Sequence, residues 1–97
     1  MKLIPLRIEP IKSADLFKQV LENSPREPLS VDMMRRRCRV LDKLDGALVG
    51  AVILEDLDAL TLSQALDIFP WAVANRDILR IIDDVKEAKP PEDKADG

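Results

Sequence analysis

The chain has 97 residues, of which 46% are hydrophobic and 34% charged, and a net charge of −3; this is the size and composition of one soluble domain with a modest core. It contains no histidine, no tyrosine, three glycines and a single cysteine. Those numbers exclude a Cys–His nucleophile pair, a zinc site of the Cys/His kind, an intramolecular disulfide and a glycine-rich phosphate loop.

Ile4, Leu6 and Ile8 alternate along residues 2–8 with the period of a half-buried strand, and Pro5 assigns it to a sheet edge. Pro10 ends it. Ser13 is placed to cap a helix running to about Asn23, with Leu16, Phe17, Val20 and Leu21 in one stripe. Pro25 and Pro28 mark the next loop. Ser30 is a second cap, with Asp32 in the first turn of a helix that ends near Asp45, and Gly46 suits a left-handed stop. On this helix Met33, Met34, Cys38, Val40, Leu41 and Leu44 form a broad inner face, while Arg35, Arg36, Arg39 and Lys43 share the outer face with Asp32.

Leu48 to Leu54 reads as a strand apolar on both sides, hence covered on both faces, and Glu55, Asp56 and Asp58 end it. Thr61 and Gln64 have the spacing of a capping box for a helix carrying Leu62, Ala65, Leu66 and Phe69 on one side. Pro70 stops it, and Trp71 to Ala74 is a short packed connector. Asn75 caps a last helix over 76–88, lined by Ile78, Leu79, Ile81, Ile82 and Val85, with Arg76, Arg80, Asp83, Asp84 and Glu87 opposite. Residues 89–97 hold two prolines and five charges, the composition of a disordered tail. The reading is a small single α+β domain over 1–88, ordered β-α-α-β-α-α. Its two-strand sheet is packed by about four helices, with further pairing open to it across a dimer.

The basic run Arg35-Arg36-Arg37-Cys38-Arg39 is the feature with most chemical content, because Arg37 projects from the middle of the apolar stripe. A cation there either snorkels to water or takes an acidic partner, inside the fold or across a subunit boundary. Glu55 and Asp56 are the candidate partners, since they end the strand this helix precedes. Residues 1–46 carry ten basic and seven acidic side chains and residues 47–97 five and eleven, a split that reflects either complementary faces of one domain or subunit contact. Met33, Met34 and Cys38 read as core filler.

Outward Arg35, Arg36, Arg39 and Lys43 also support an alternative, a nucleic-acid-associated regulator; an acidic chain without interleaved aromatics counts against it. Glu55-Asp56-Leu57-Asp58 and Asp83-Asp84 lack the spacing of a calcium loop and read as solvated acids. The expectation is therefore no enzyme, no cofactor, no metal and no small-molecule ligand. The expected partner is protein, a second copy of the chain included, without a membrane, in the cytoplasm.

Met34-Arg35-Arg36-Arg37-Cys38-Arg39-Val40-Leu41-Asp42-Lys43-Leu44, Leu54-Glu55-Asp56-Leu57-Asp58 and Arg76-Asp77-Ile78-Leu79-Arg80-Ile81-Ile82-Asp83-Asp84-Val85 together resemble a group of small uncharacterised proteins of tailed phages and bacterial prophages. The resemblance spans most of residues 30–88. It implies a context of particle assembly or accessory function, and carries no catalytic or binding residues with it.

Overall fold

Ile4 and Val52 face each other across the strand pair around which the helices pack. The computed structural model describes residues 1–22, 30–47, 50–71 and 74–90. In it β1 (Lys2–Pro5) and β2 (Ala51–Leu54) run antiparallel, with Lys2 opposite Leu54, Leu3 opposite Ile53 and Pro5 opposite Ala51. Leu6 N–H donates to Gly50 O at 2.9 Å, whereas Leu3 N–H turns the other way, to Lys89 O at 2.8 Å. Ladder bonds alternate along an antiparallel pair, so Lys2, Ile4 and Leu6 bond towards β2 while Leu3 and Pro5 face away. Pro5 is tolerated for that reason: its missing N–H falls where β2 needs none.

Four helices follow the order read from the sequence: α1 (Ser13–Glu22), α2 (Val31–Asp45), α3 (Asp56–Ile68) and α4 (Arg76–Lys86). The protein is a small α+β domain. Phe17 and Val20 of α1, Val40 of α2, Leu62 and Leu66 of α3 and Ile81 of α4 close over Ile4 and Leu54 from the sheet. Ser30 Oγ accepts from Met33 N–H at 3.0 Å, and Asn75 Oδ1 accepts from Asp77 N–H at 2.8 Å, so two of the four predicted caps form.

Several boundaries and faces differ from the sequence reading. β1 stops at Pro5 instead of residue 8, and α4 at Lys86 instead of 88. Leu48 and Val49 of the predicted second strand lie outside the described residues, as do Asn23 and residues 91–97. Lys89, assigned to the tail by composition, is instead paired with β1. Gly46 ends α2 at φ −94°, not in the left-handed region; its N–H donates to Asp42 O. The left-handed residue is Gly50, at φ 98°.

Ser13 is the first residue of α1, and its hydroxyl accepts from Arg7 N–H at 2.9 Å while its own N–H donates to Arg7 O at 2.9 Å. It clamps the β1–α1 connection, which contains a cis Glu9–Pro10 peptide, instead of capping the helix. α3 begins at Asp56, a turn and a half before Thr61. The Thr61 hydroxyl donates back to Leu57 O at 2.9 Å, so the capping-box spacing is coincidental. The first turn of α3 takes Asp56 and Asp58 instead, a favourable place for negative charge.

The inner face of α2 is narrower than predicted and rotated. Arg37, Val40 and Leu44 are buried, Met33 and Leu41 half-buried, and Met34 and Cys38 exposed. On α4, Ile81 and Val85 are buried but Leu79 is exposed. The sheet is covered on one face only. Val52 and Leu54 point into the core, and Ile53 is 45% exposed.

Candidate interaction surface

The five basic residues of α2 fall into three situations. Arg37 is 5% exposed, and its Nη1 donates to Leu21 O at 3.3 Å and Val20 O at 3.4 Å. Those carbonyls belong to the last turn of α1, and no N–H within Ser13–Glu22 is placed to satisfy them. The cation therefore sits at the negative end of the α1 dipole and supplies a C-terminal cap from a neighbouring helix. Burial lowers its pKa from the ordinary arginine value, because solvent no longer stabilises the charged form.

Arg36 and Arg39 are engaged within the fold. Arg36 pairs with Asp32 one turn back at 3.1 Å, and Arg39 Nε bonds Asp58 Oδ1 at 2.9 Å. Asp58 is 2% exposed and lies on α3, so this pair staples α2 to α3 from a half-exposed cation to a buried carboxylate. Arg35 and Lys43 make no ion pair among the described residues and face solvent.

Within the chain no ion pair joins Glu55 or Asp56 to Arg37 among the described residues. Asp56 pairs with the Met1 amine at 2.8 Å, and that hydrogen bond holds its carboxyl below the usual aspartate range. Glu55 is exposed and precedes α3 without a side-chain capping bond. Among the described residues, backbone carbonyls satisfy part of the buried guanidinium. A search restricted to acidic side chains misses that solution.

Other contacts carry no local sequence signal. Arg7 grips Asp84 with two hydrogen bonds, Nε to Oδ2 at 2.6 Å and Nη2 to Oδ1 at 3.0 Å, tying the segment after β1 to α4. This fork raises the Arg7 pKa through the hydrogen bond and the charge of Asp84. Lys18 meets Asp45 at 2.7 Å between α1 and α2, and Lys86 meets Asp67 at 2.8 Å between α4 and α3. Trp71 Nε1–H donates to Leu66 O at 3.0 Å beside the Phe69 ring, which packs the first residue of the predicted connector; residues 72–73 of it lie outside the described residues. The charge split between the two halves of the chain is thus partly spent inside one domain, through Arg7–Asp84 and Arg39–Asp58.

Among the described residues no group of three His, Cys, Asp or Glu side chains is arranged to hold a metal ion, and no helix is long and apolar enough to cross a membrane. The surface does leave apolar groups uncovered. The outward positions of the sheet are Leu3, Pro5, Ala51 and Ile53, with no polar side chain among them. An antiparallel sheet facing water ordinarily alternates to polar there. On α3, Leu57, Leu60 and Ile68 are exposed at the i, i+3 and i+11 positions of one side, while Leu62, Ala65 and Leu66 are buried on the other. Exposed Gln64 and Asp67 share that side, so the outer side of α3 is mixed where a solvent-facing side is ordinarily polar.

A scan against protein-family models, a search of curated proteins and a search of solved structures each found no match to this chain.

Proposed function

We propose that this protein is a non-enzymatic interaction or assembly accessory protein, self-associating, of the kind that tailed phages and prophages use. The observation that carries the reading is the apolar surface left open on two neighbouring elements, the outward side of the sheet and the outer side of α3. Large apolar side chains left exposed together on one side of an element mark a contact site more often than single scattered ones do. The residue inventory supports the non-enzymatic half, since a chain without histidine or tyrosine lacks the usual general bases near neutral pH. Partner choice would follow from burial of the apolar face, with the free cations Arg35 and Lys43 and the exposed acids Glu55 and Asp83 setting orientation at its rim.

Self-association is tested by sedimentation velocity over about 1–500 µM, the range in which an interface of modest area operates. A concentration-dependent rise in sedimentation coefficient supports the reading, and a single monomer species throughout refutes it. The nucleic-acid alternative is disfavoured because Arg36 and Arg39 already have carboxylate partners. Steeply salt-dependent binding of a DNA duplex at low ionic strength would reinstate it.

A further inference from the structure

We infer that two copies of this chain join by antiparallel pairing of β2 with β2 across a two-fold axis, making one four-stranded sheet. This deepens the self-association reading and rests on it.

The hydrogen-bond alternation fixes which backbone groups are involved. Leu3 N–H goes to Lys89 O, so Leu3 is a residue that faces away from β2, and its opposite number Ile53 faces away from β1. By the same alternation Ala51 faces outward too, while Val52 and Leu54 bond to β1. The N–H and C=O of Ala51 and Ile53 therefore form the outer edge of β2, and no hydrogen bond to another described residue engages them. Paired antiparallel about Val52, Ala51 of one copy lies opposite Ile53 of the other. All the outward groups of both strands are then satisfied within the bounds of β2.

Three features favour a second copy as the occupant. Natural edges are blunted by charge, proline or a bulge, and β2 (Ala51–Leu54) contains none of these. Charge layout selects the antiparallel arrangement. Parallel pairing would set Glu55 and Asp56 beside their counterparts, whereas the two-fold arrangement places each acidic end near the partner's uncharged Gly50 turn. The two Glu55 residues are then about 15–20 Å apart at about 3.4 Å per residue, beyond the Debye length of about 8 Å at physiological salt. Finally, a two-stranded sheet is marginal alone, and pairing across the two-fold axis makes it four-stranded.

The test uses the full chain and two substitutions that separate edge from face. Ile53→Pro removes one outward N–H and no bond to β1; Leu3→Gln removes an apolar side chain of the outer face without touching the β2 edge. Edge pairing predicts dimerisation at least about tenfold weaker for Ile53→Pro and nearly unchanged for Leu3→Gln. Dimers retained by folded Ile53→Pro and lost in Leu3→Gln would overturn it in favour of face packing, leaving self-association itself standing. Amide hydrogen exchange on the unmodified chain keeps the proposal testable should Ile53→Pro fail to fold. The Ile53 and Ala51 amides must gain protection as concentration rises, and fast exchange of both in a sample shown to be dimeric overturns the pairing. A chain monomeric at every concentration overturns both this pairing and the reading beneath it.

Discussion

Arg37 holds its guanidinium against Val20 O and Leu21 O in the last turn of α1, where carbonyls lack helical donors from within Ser13–Glu22. Arg37→Ala removes the donors and opens a cavity, and is expected to cost about 2–4 kcal/mol in urea denaturation. Arg37→Lys should recover only part of that, because a point charge cannot spread its donors as the planar fork does. A loss below about 0.5 kcal/mol for Arg37→Ala would show the contact to be incidental. Arg39→Ala leaves the Asp58 carboxylate buried without its cation and should cost about 1–2 kcal/mol, less than for a fully buried pair because Arg39 is half in water. Equal stability of Arg39→Ala and the parent chain would remove that staple from the account. At this scale the sequence exposed the problem and not its solution. A cation in an apolar stripe is visible at 100° per residue, but its partners are carbonyls of another helix, to which no side-chain pattern points. Arg7–Asp84 is similarly invisible, since nothing local links residues so far apart along the chain.

Among the elements, type and order were legible and phase was not. The 3.6-residue period marks α1 to α4 and the alternation marks β1, but a broad apolar arc permits more than one rotation of the helix, and packing decides which. α4 shows this. Ile78, Leu79, Ile81, Ile82 and Val85 span too wide an arc to be buried together, and the helix settles with Ile81 and Val85 inward. Ile81→Ala should therefore cost about 2–5 kcal/mol and Leu79→Ala no more than about 0.5 kcal/mol in chemical denaturation. Similar losses at the two positions would mean that α4 is turned differently. The start of α3 was missed because the acids Glu55, Asp56 and Asp58 resemble a solvated turn, whereas a helix N-terminus accepts them equally well. The link from Leu3 N–H to Lys89 O gives the segment after α4 a structural role. A chain ending at residue 87 is expected to show Leu3 amide exchange at least about tenfold faster than the full chain. Unchanged exchange would mean that the bridge contributes nothing.

For the whole molecule, the intramolecular charge pairs and the uncovered apolar groups point in different directions. Some carboxylates and cations are matched within one domain, while others, Arg35, Lys43, Glu55 and Asp83 among them, make no ion pair among the described residues and stay available to a partner. Apolar side chains of the outward sheet and of α3 are exposed, and the edge of β2 offers two donors and two acceptors that no hydrogen bond engages among the described residues. The sequence indicated association through its two-strand sheet but placed that sheet between two covering layers. The run from Leu48 to Leu54 looks buried on both sides because it has no polar residue to mark the side that faces water. The same lack of polar marking makes the face available for contact. Small-angle X-ray scattering of the intact chain over a concentration series tests the central claim most directly. The forward-scattering mass is predicted to rise from 10.9 kDa towards twice that value as concentration enters the high micromolar range. A mass that stays at the monomer value across the whole series would contradict it.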